Sequence, residues 1–230
     1  MSKTIAILQS NYIPWKGYFD LINMVDEFVF YDEVQYTKND WRNRNKIKTL
    51  QGVQWLTIPV KQESLEQKIK DTKISDKKWN IKHWRTLSQN YSKANYYKEY
   101  KDIFEELYLT CNEEYLSQIN YKFISTINDI LGIKTKLRYS SEFELIDGQT
   151  EKLLSICKQC ESNKYLSGPA AKDYFNESLA KQENIKIEWM NYSEYKEYEQ
   201  LHPPFEHGVS ILDLIFNEGS NATKFMKSFK

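Results

Sequence analysis

The chain has 230 residues, 40% of them hydrophobic, and its 17 Tyr, 11 Phe and 6 Trp supply bulk for the core of one domain spanning residues 1–230. Basic and acidic residues balance at 32 each, so no net charge points to nucleic acid or to an anionic membrane surface. No run approaches the ~20 apolar residues needed to cross a bilayer, and the start MSKTIAIL lacks a signal-peptide pattern.

These features predict a cytoplasmic protein without membrane insertion. Three cysteines are an odd number, and Cys157-x-x-Cys160 has no second pair. Reduced thiols on a helix are expected there, and no metal site.

In chain order, residues 4–9 read as a strand, 16–25 as a helix and 27–31 as a second strand. The segment VQWLTIPV (53–60) is rich in β-branched and aromatic residues and reads as a third strand, with a turn at Gln51–Gly52 before it. KIKDTKI (68–74) alternates as an edge strand would. From 76 to 132 the three- and four-residue spacing of Trp79, His83/Trp84, Leu87 and Tyr91, then Leu116, Ile119, Phe123 and Ile127, predicts a helical insertion. LGIKTKLRYSSEF supplies a strand, TEKLLSICKQC a helix, KYLSGPAA a strand into a loop, NIKIEWMNY a strand and GVSILDLIFNEG a closing helix. Strands separated by helices predict an α/β fold with a mostly parallel sheet and a large helical insertion.

In such folds ligands lie beyond the carboxyl ends of the strands, and the polar residues of this chain gather there. Gln9 and Asn11 follow the first strand, and a turn carries Tyr12, Pro14, Trp15 and Gly17 into the first helix. Asp32 and Gln35 follow the second strand. In DWRNRNKIK, Arg42, Arg44, Lys46 and Lys48 alternate, so an extended backbone puts the four cations on one side with Asn43 and Asn45 opposite. Guanidinium groups suit phosphate or carboxylate. Ser167 and Gly168 end a later strand ahead of a helix. The histidines are His83 on the helical stretch and His202 and His207 around HPPFEH; imidazoles are the default acid–base groups. No P-loop, no G-x-G-x-x-G and no G-x-S-x-G occurs.

ILQSNYIPWKGYFDLI, FVFYDEVQYTKNDWRNRNKIKT, WLTIPV, HW…NYSKANYY, YLSGPAAKDY and SILDLIFNEG, in this order, resemble the WbqC-like family over nearly the whole chain. Ser10 stands where the family often has proline and Glu33 where it often has aspartate. The resemblance implies a cytoplasmic step in the biosynthesis of O-antigen or other surface polysaccharides, such as tailoring a nucleotide-linked sugar. The opening strand–turn–helix–strand is also similar to that of HUP-type nucleotidylyltransferases and pantothenate synthetases. Their H-x-G-H would correspond to Trp15-Lys16-Gly17-Tyr18, with the glycine kept and both histidines replaced.

Together these readings predict an enzyme, of unassigned cofactor, that transfers an acyl or aminoacyl group to a nucleotide sugar or another phosphorylated metabolite. Arg42, Arg44 and Lys46 would hold phosphates. Gln9, Asn11, Tyr12, Trp15, Gln35, Asn43, Ser167 and Gly168 would bind substrate. His83, with Asp32 and His207, would do the acid–base work. The alternatives are a non-catalytic binding or assembly protein of the same pathway, or an adenylylating ligase without the usual histidines.

Overall fold

A computed structural model of the chain describes residues 2–229. Five strands, β1 (Thr4–Leu8), β2 (Glu27–Phe30), β5 (Lys136–Tyr139), β6 (Lys164–Ser167) and β7 (Lys186–Trp189), form one sheet in the order β5-β2-β1-β6-β7. Every pairing in it is parallel. Taken among the sheet strands alone, the order is third, second, first, fourth, fifth, a Rossmann-like layout in keeping with the expected α/β fold and mostly parallel sheet.

Each inner strand is covered on both faces, so its apolar residues run on without a polar gap. Ala6, Phe28 and Phe30 point to one layer with helices α1 (Lys16–Asn23), α2 (Trp79–Tyr91), α3 (Tyr97–Leu109), α4 (Leu116–Leu131) and α7 (Ile211–Glu218). Ile5, Ile7 and Val29 point the other way, to α5 (Gln149–Gln159) and α6 (Glu177–Gln182). The helical stretch therefore shares one core with the sheet: Trp79, Phe104, Phe123 and Phe216 lie in the same cluster as Phe19 and Phe28.

Two expectations for the middle of the chain change. Residues Gly52–Thr57 do form a strand, β4, but it pairs antiparallel with β3 (Arg44–Thr49) in a separate hairpin. The turn between them is tight, and Gly52 at φ 105° holds a conformation that only glycine adopts without strain. The predicted edge strand at 68–74 is instead a short 3-10 turn, Ile69–Asp71, flanked by isolated bridges such as Gln35 to Lys68 and Val60 to Ile74. Ile69 and Thr72 are fully buried there, so the chain folds into the core where an edge strand would run along it.

The segment from Met190 to Val209 carries no regular structure and lies as a strap over α1 and α7. Two buried carboxylates pin it. Asp20 accepts from the Tyr195 hydroxyl at 2.7 Å, and Asp213 accepts from Tyr198 at 2.7 Å and from Gln200 Nε2 at 2.9 Å.

Candidate functional site

The sheet reverses direction of winding at β1, which has β2 on one side and β6 on the other. Outside the carboxyl ends of these three strands lies a cleft of about 610 Å³. Leu8 and Gln9 enter it from β1, Tyr31 and Val34 from β2, and Ser167 and Gly168 from β6. The first turn of α5 closes the far side with Gly148, Gln149 and Lys152, while Arg42 reaches in from ahead of the hairpin. Arg42 and Lys152 are the cations of the cleft. Lys152 forms no ion pair among the described residues, whereas Arg42 lies 3.6 Å from Asp40. The start of α5 has no side-chain cap, but Glu151 folds its carboxylate back over Gly148. That carboxylate offsets the positive end of the helix, so Arg42 and Lys152 supply the attraction for an anion.

A second hollow of about 300 Å³ adjoins the first through Asn11, whose side-chain oxygen accepts from the Arg42 guanidinium. Pro14, Trp15 and Trp41 make its apolar walls, and Asn45, His207 and Gly208 complete it. Trp15 and His207 also line a smaller hollow of about 230 Å³ beneath the strap, with Tyr192, Glu194 and Tyr195. Gly17 explains the placing of Trp15: a Cβ there would sit 2.4 Å from the indole. The glycine thus makes room for the protein's own tryptophan.

The turn is held under strain. Ile13, a β-branched residue, has φ 37°, a conformation costing ~1–3 kcal/mol. Asn45 compensates: its Nδ2 donates to the carbonyls of Tyr12 at 3.1 Å and Ile13 at 2.9 Å. The start of α7 fastens the same turn, with the Ile211 N–H donating to Pro14 O at 2.9 Å.

The WbqC-like protein family model matches residues 9–225, which include every lining residue of the second hollow and, apart from Ile7 and Leu8 of β1, those of the cleft. The chain belongs to the WbqC-like family. It is also 46% identical over 226 residues to a Mycobacterium tuberculosis protein (strain ATCC 25618 / H37Rv) called uncharacterized protein Rv1507c, covering 98% of each chain. No solved structure matches it.

Within this WbqC-like chain, the structure sorts the predicted site residues into three groups. Gln9, Arg42, Ser167 and Gly168 meet in the switch-point cleft. Asn11, Trp15 and His207 meet in the adjoining hollow. The rest lie apart from both.

His83 and Tyr12 are in the core. Thr57 O can only accept, so His83 Nε2, 3.1 Å away, carries the proton. His83 Nδ1 then accepts from the Tyr12 hydroxyl at 2.9 Å, and Tyr12 accepts from Tyr108 at 2.7 Å. Burial lowers the imidazole to about 4. Asp32 is also buried, and burial raises its carboxyl. One of its oxygens accepts from the Ser10 N–H at 2.8 Å and the other from the Ser117 hydroxyl. Asn120 of α4 extends this network to Ser10 Oγ and to the carbonyl of Arg42, at 2.9 Å each. Asp32 thus fixes the backbone that presents Gln9 and Arg42.

The alternating cations do not share one surface. Arg44 stacks on Trp55 at 4.1 Å, and Lys46 lies 5.3 Å from the same ring. Lys48 is buried and donates to Pro204 O. Asn43 donates to Ile58 O at 2.9 Å inside the fold, and Gln35 holds Leu65 O on the surface. Lys16 turns under the strap to Lys196 O at 2.8 Å, where burial lowers it to about 8. The Tyr18 hydroxyl donates to Gln9 O at 2.9 Å.

Lys152, Gln149 and Tyr31 line the cleft without having been singled out in the sequence. The signal for Lys152 was its place one turn into a helix that follows a strand and a Gly, where the Rossmann-like layout puts ligand groups. Among the described residues no group of three His, Cys, Asp or Glu is placed to hold a metal ion, and no helix is long and apolar enough to cross a membrane. The three cysteines are free and buried, and burial pushes Cys157 up to about 12 and Cys160 up to about 11.

Proposed function

We propose that this WbqC-like protein is a cytoplasmic enzyme of surface-polysaccharide biosynthesis. It acts as one domain on a nucleotide-linked sugar or a related phosphorylated metabolite, and it transfers an acyl or aminoacyl group. The observation that carries the reading is the cleft at the switch point, where Arg42 and Lys152, the latter without an ion pair among the described residues, converge on the open ends of β1, β2 and β6. A phosphate fits that combination: two cations for its charge, with Gln9, Gln149 and Ser167 for its remaining oxygens.

His207, exposed at the mouth of the adjoining hollow, is the acid–base group of this reading. His83 and Asp32 take positioning roles, because their polar atoms are already engaged within the core.

Calorimetric titration with inorganic pyrophosphate and with nucleotide sugars tests the phosphate site. Lys152→Met is expected to weaken both about tenfold, the loss of one charge-assisted hydrogen bond of ~1.5 kcal/mol. Undiminished binding in that variant would sink the assignment. The internal engagement of His83 and Asp32 also favours a second reading, a ligand-binding protein that performs no chemistry. Mass analysis of nucleotide sugars incubated with acyl donors separates the two: a product whose formation falls in His207→Ala supports the transferase, and bound but unchanged ligand supports the binder.

A further inference from the structure

We propose that the hollow between Trp15 and Trp41 is a subsite for a neutral pyranose ring, the sugar part of the ligand whose phosphate end occupies the switch-point cleft. The proposal deepens the reading above and rests on it only for that second half.

The walls argue for an uncharged ligand with one apolar face. Among the described residues, no Asp, Glu, Lys or Arg lines the hollow. Of the cations around it, Arg42 is held on Asn11 and the Lys46 ammonium lies 5.8 Å from the Trp41 ring. Both tryptophans are fixed before any ligand arrives. Trp15 lies over Gly17 and meets Tyr192 and Tyr195 edge-on at 5.3 Å each, and Trp41 packs against Trp55 at 5.2 Å. Trp41 nevertheless keeps 40% of its surface exposed. Rigid indole faces offer contact area at little entropic cost.

The polar groups of the hollow differ in what they have left to give. Asn45 is spent: its Nδ2 holds the turn carbonyls and its Oδ1 accepts from the Lys46 N–H at 2.7 Å. Asn11 gives its oxygen to Arg42, which leaves its Nδ2 as a donor. His207 packs edge-on against Phe205 at 4.6 Å and hydrogen-bonds to none of the described residues. Flat aromatic walls with one amide donor and one imidazole suit a ring that shows C–H groups on a face and hydroxyls at its edge. An aliphatic acyl chain would leave Asn11 and His207 without partners. At about 300 Å³ the space stands at the small end of ligand pockets, and the Arg42–Asn11 contact joins it to the cleft.

The test uses saturation-transfer NMR on the intact protein with methyl glycosides of glucose, galactose, N-acetylglucosamine, rhamnose and fucose at millimolar concentration. The nucleosides uridine and adenosine serve as planar neutral competitors. At least one glycoside is expected to bind, with its strongest transfer from the C–H groups of one ring face. Trp41→Ala is expected to weaken it about fivefold, and Asn11→Ala to weaken it as well. Lys152→Met, which weakens pyrophosphate binding, keeps the glycoside signal. The subsite is overturned if no glycoside binds, if nucleosides bind and glycosides do not, or if glycoside binding falls in Lys152→Met and not in Trp41→Ala. Pyrophosphate titrated on the same proteins keeps the two ideas apart: glycoside binding without pyrophosphate binding retains the subsite and removes the phosphate cleft.

Discussion

His83 shows how an imidazole is retained without being available. Its ring completes a chain from Tyr108 through Tyr12 to Thr57 in which each donor has one acceptor, and that chain needs the neutral form. The folded value of about 4 lies below the ordinary 6.5, so between these the unfolded chain binds more protons than the native one. Stability therefore falls as pH drops through that window, by up to ~1.4 kcal/mol per unit, and His83 contributes no slope above it. Urea melts from pH 7 to 4 should show this acid slope in the wild type and a shallower one in His83→Gln. Equal slopes would mean that the ring is solvated. Tyr12→Phe should cost ~1–3 kcal/mol, because it leaves Tyr108 and His83 without their shared partner; a loss below ~0.5 kcal/mol in the same melts would dissolve the chain. Residue pattern alone does not tell His83 from His207. Both sit among aromatic residues, and only the position of Thr57, twenty-six residues upstream, turns one of them into a core group.

Elements whose residues face one environment were legible, and elements that bridge two were not. The runs at Ile5–Leu8 and Phe28–Phe30 are covered on both sides of the sheet and announce themselves as buried strands. β3 hides because its alternation is between cations and Asn45, Ile47 and Thr49, so its inward face is largely polar. α6 has only six residues and buries one of them, Ala180, too few for a period to show. The strap carries no pattern of its own, since its hold on the fold comes from Tyr195 and Tyr198 meeting carboxylates on α1 and α7. Tyr198→Phe should cost ~1–3 kcal/mol by removing a donor from buried Asp213, with Tyr91 and Gln200 left to share the carboxylate. Because the strap walls the hollow at Tyr195 and His207, limited proteolysis should cut Tyr198→Phe within 190–209 faster than the wild type. Unchanged cleavage would show that the strap is held elsewhere.

At the scale of the molecule, the site draws on the ends of β1, β2 and β6, the start of α5, the hairpin approach and the strap. A ligand that joins so many elements binds the folded state alone. At one hundred times its dissociation constant it should add ~2.7 kcal/mol, a rise of ~5–11 °C in melting temperature for a chain of this size. Nucleotide sugars should give this shift and the corresponding free bases should not; equal shifts from both would contradict a phosphate-led site. The sheet order also fixes when such a site comes into being. β1 pairs with β2 after a gap of about twenty residues, but its registered pairs with β6, Thr4 with Lys164 and Ile5 with Tyr165, lie 160 positions apart. Closing so wide a loop is the slow part of building a sheet. The half of the cleft made by β1 and β2 thus stands early, and in a chain still emerging during synthesis the cleft is incomplete until the last third has docked.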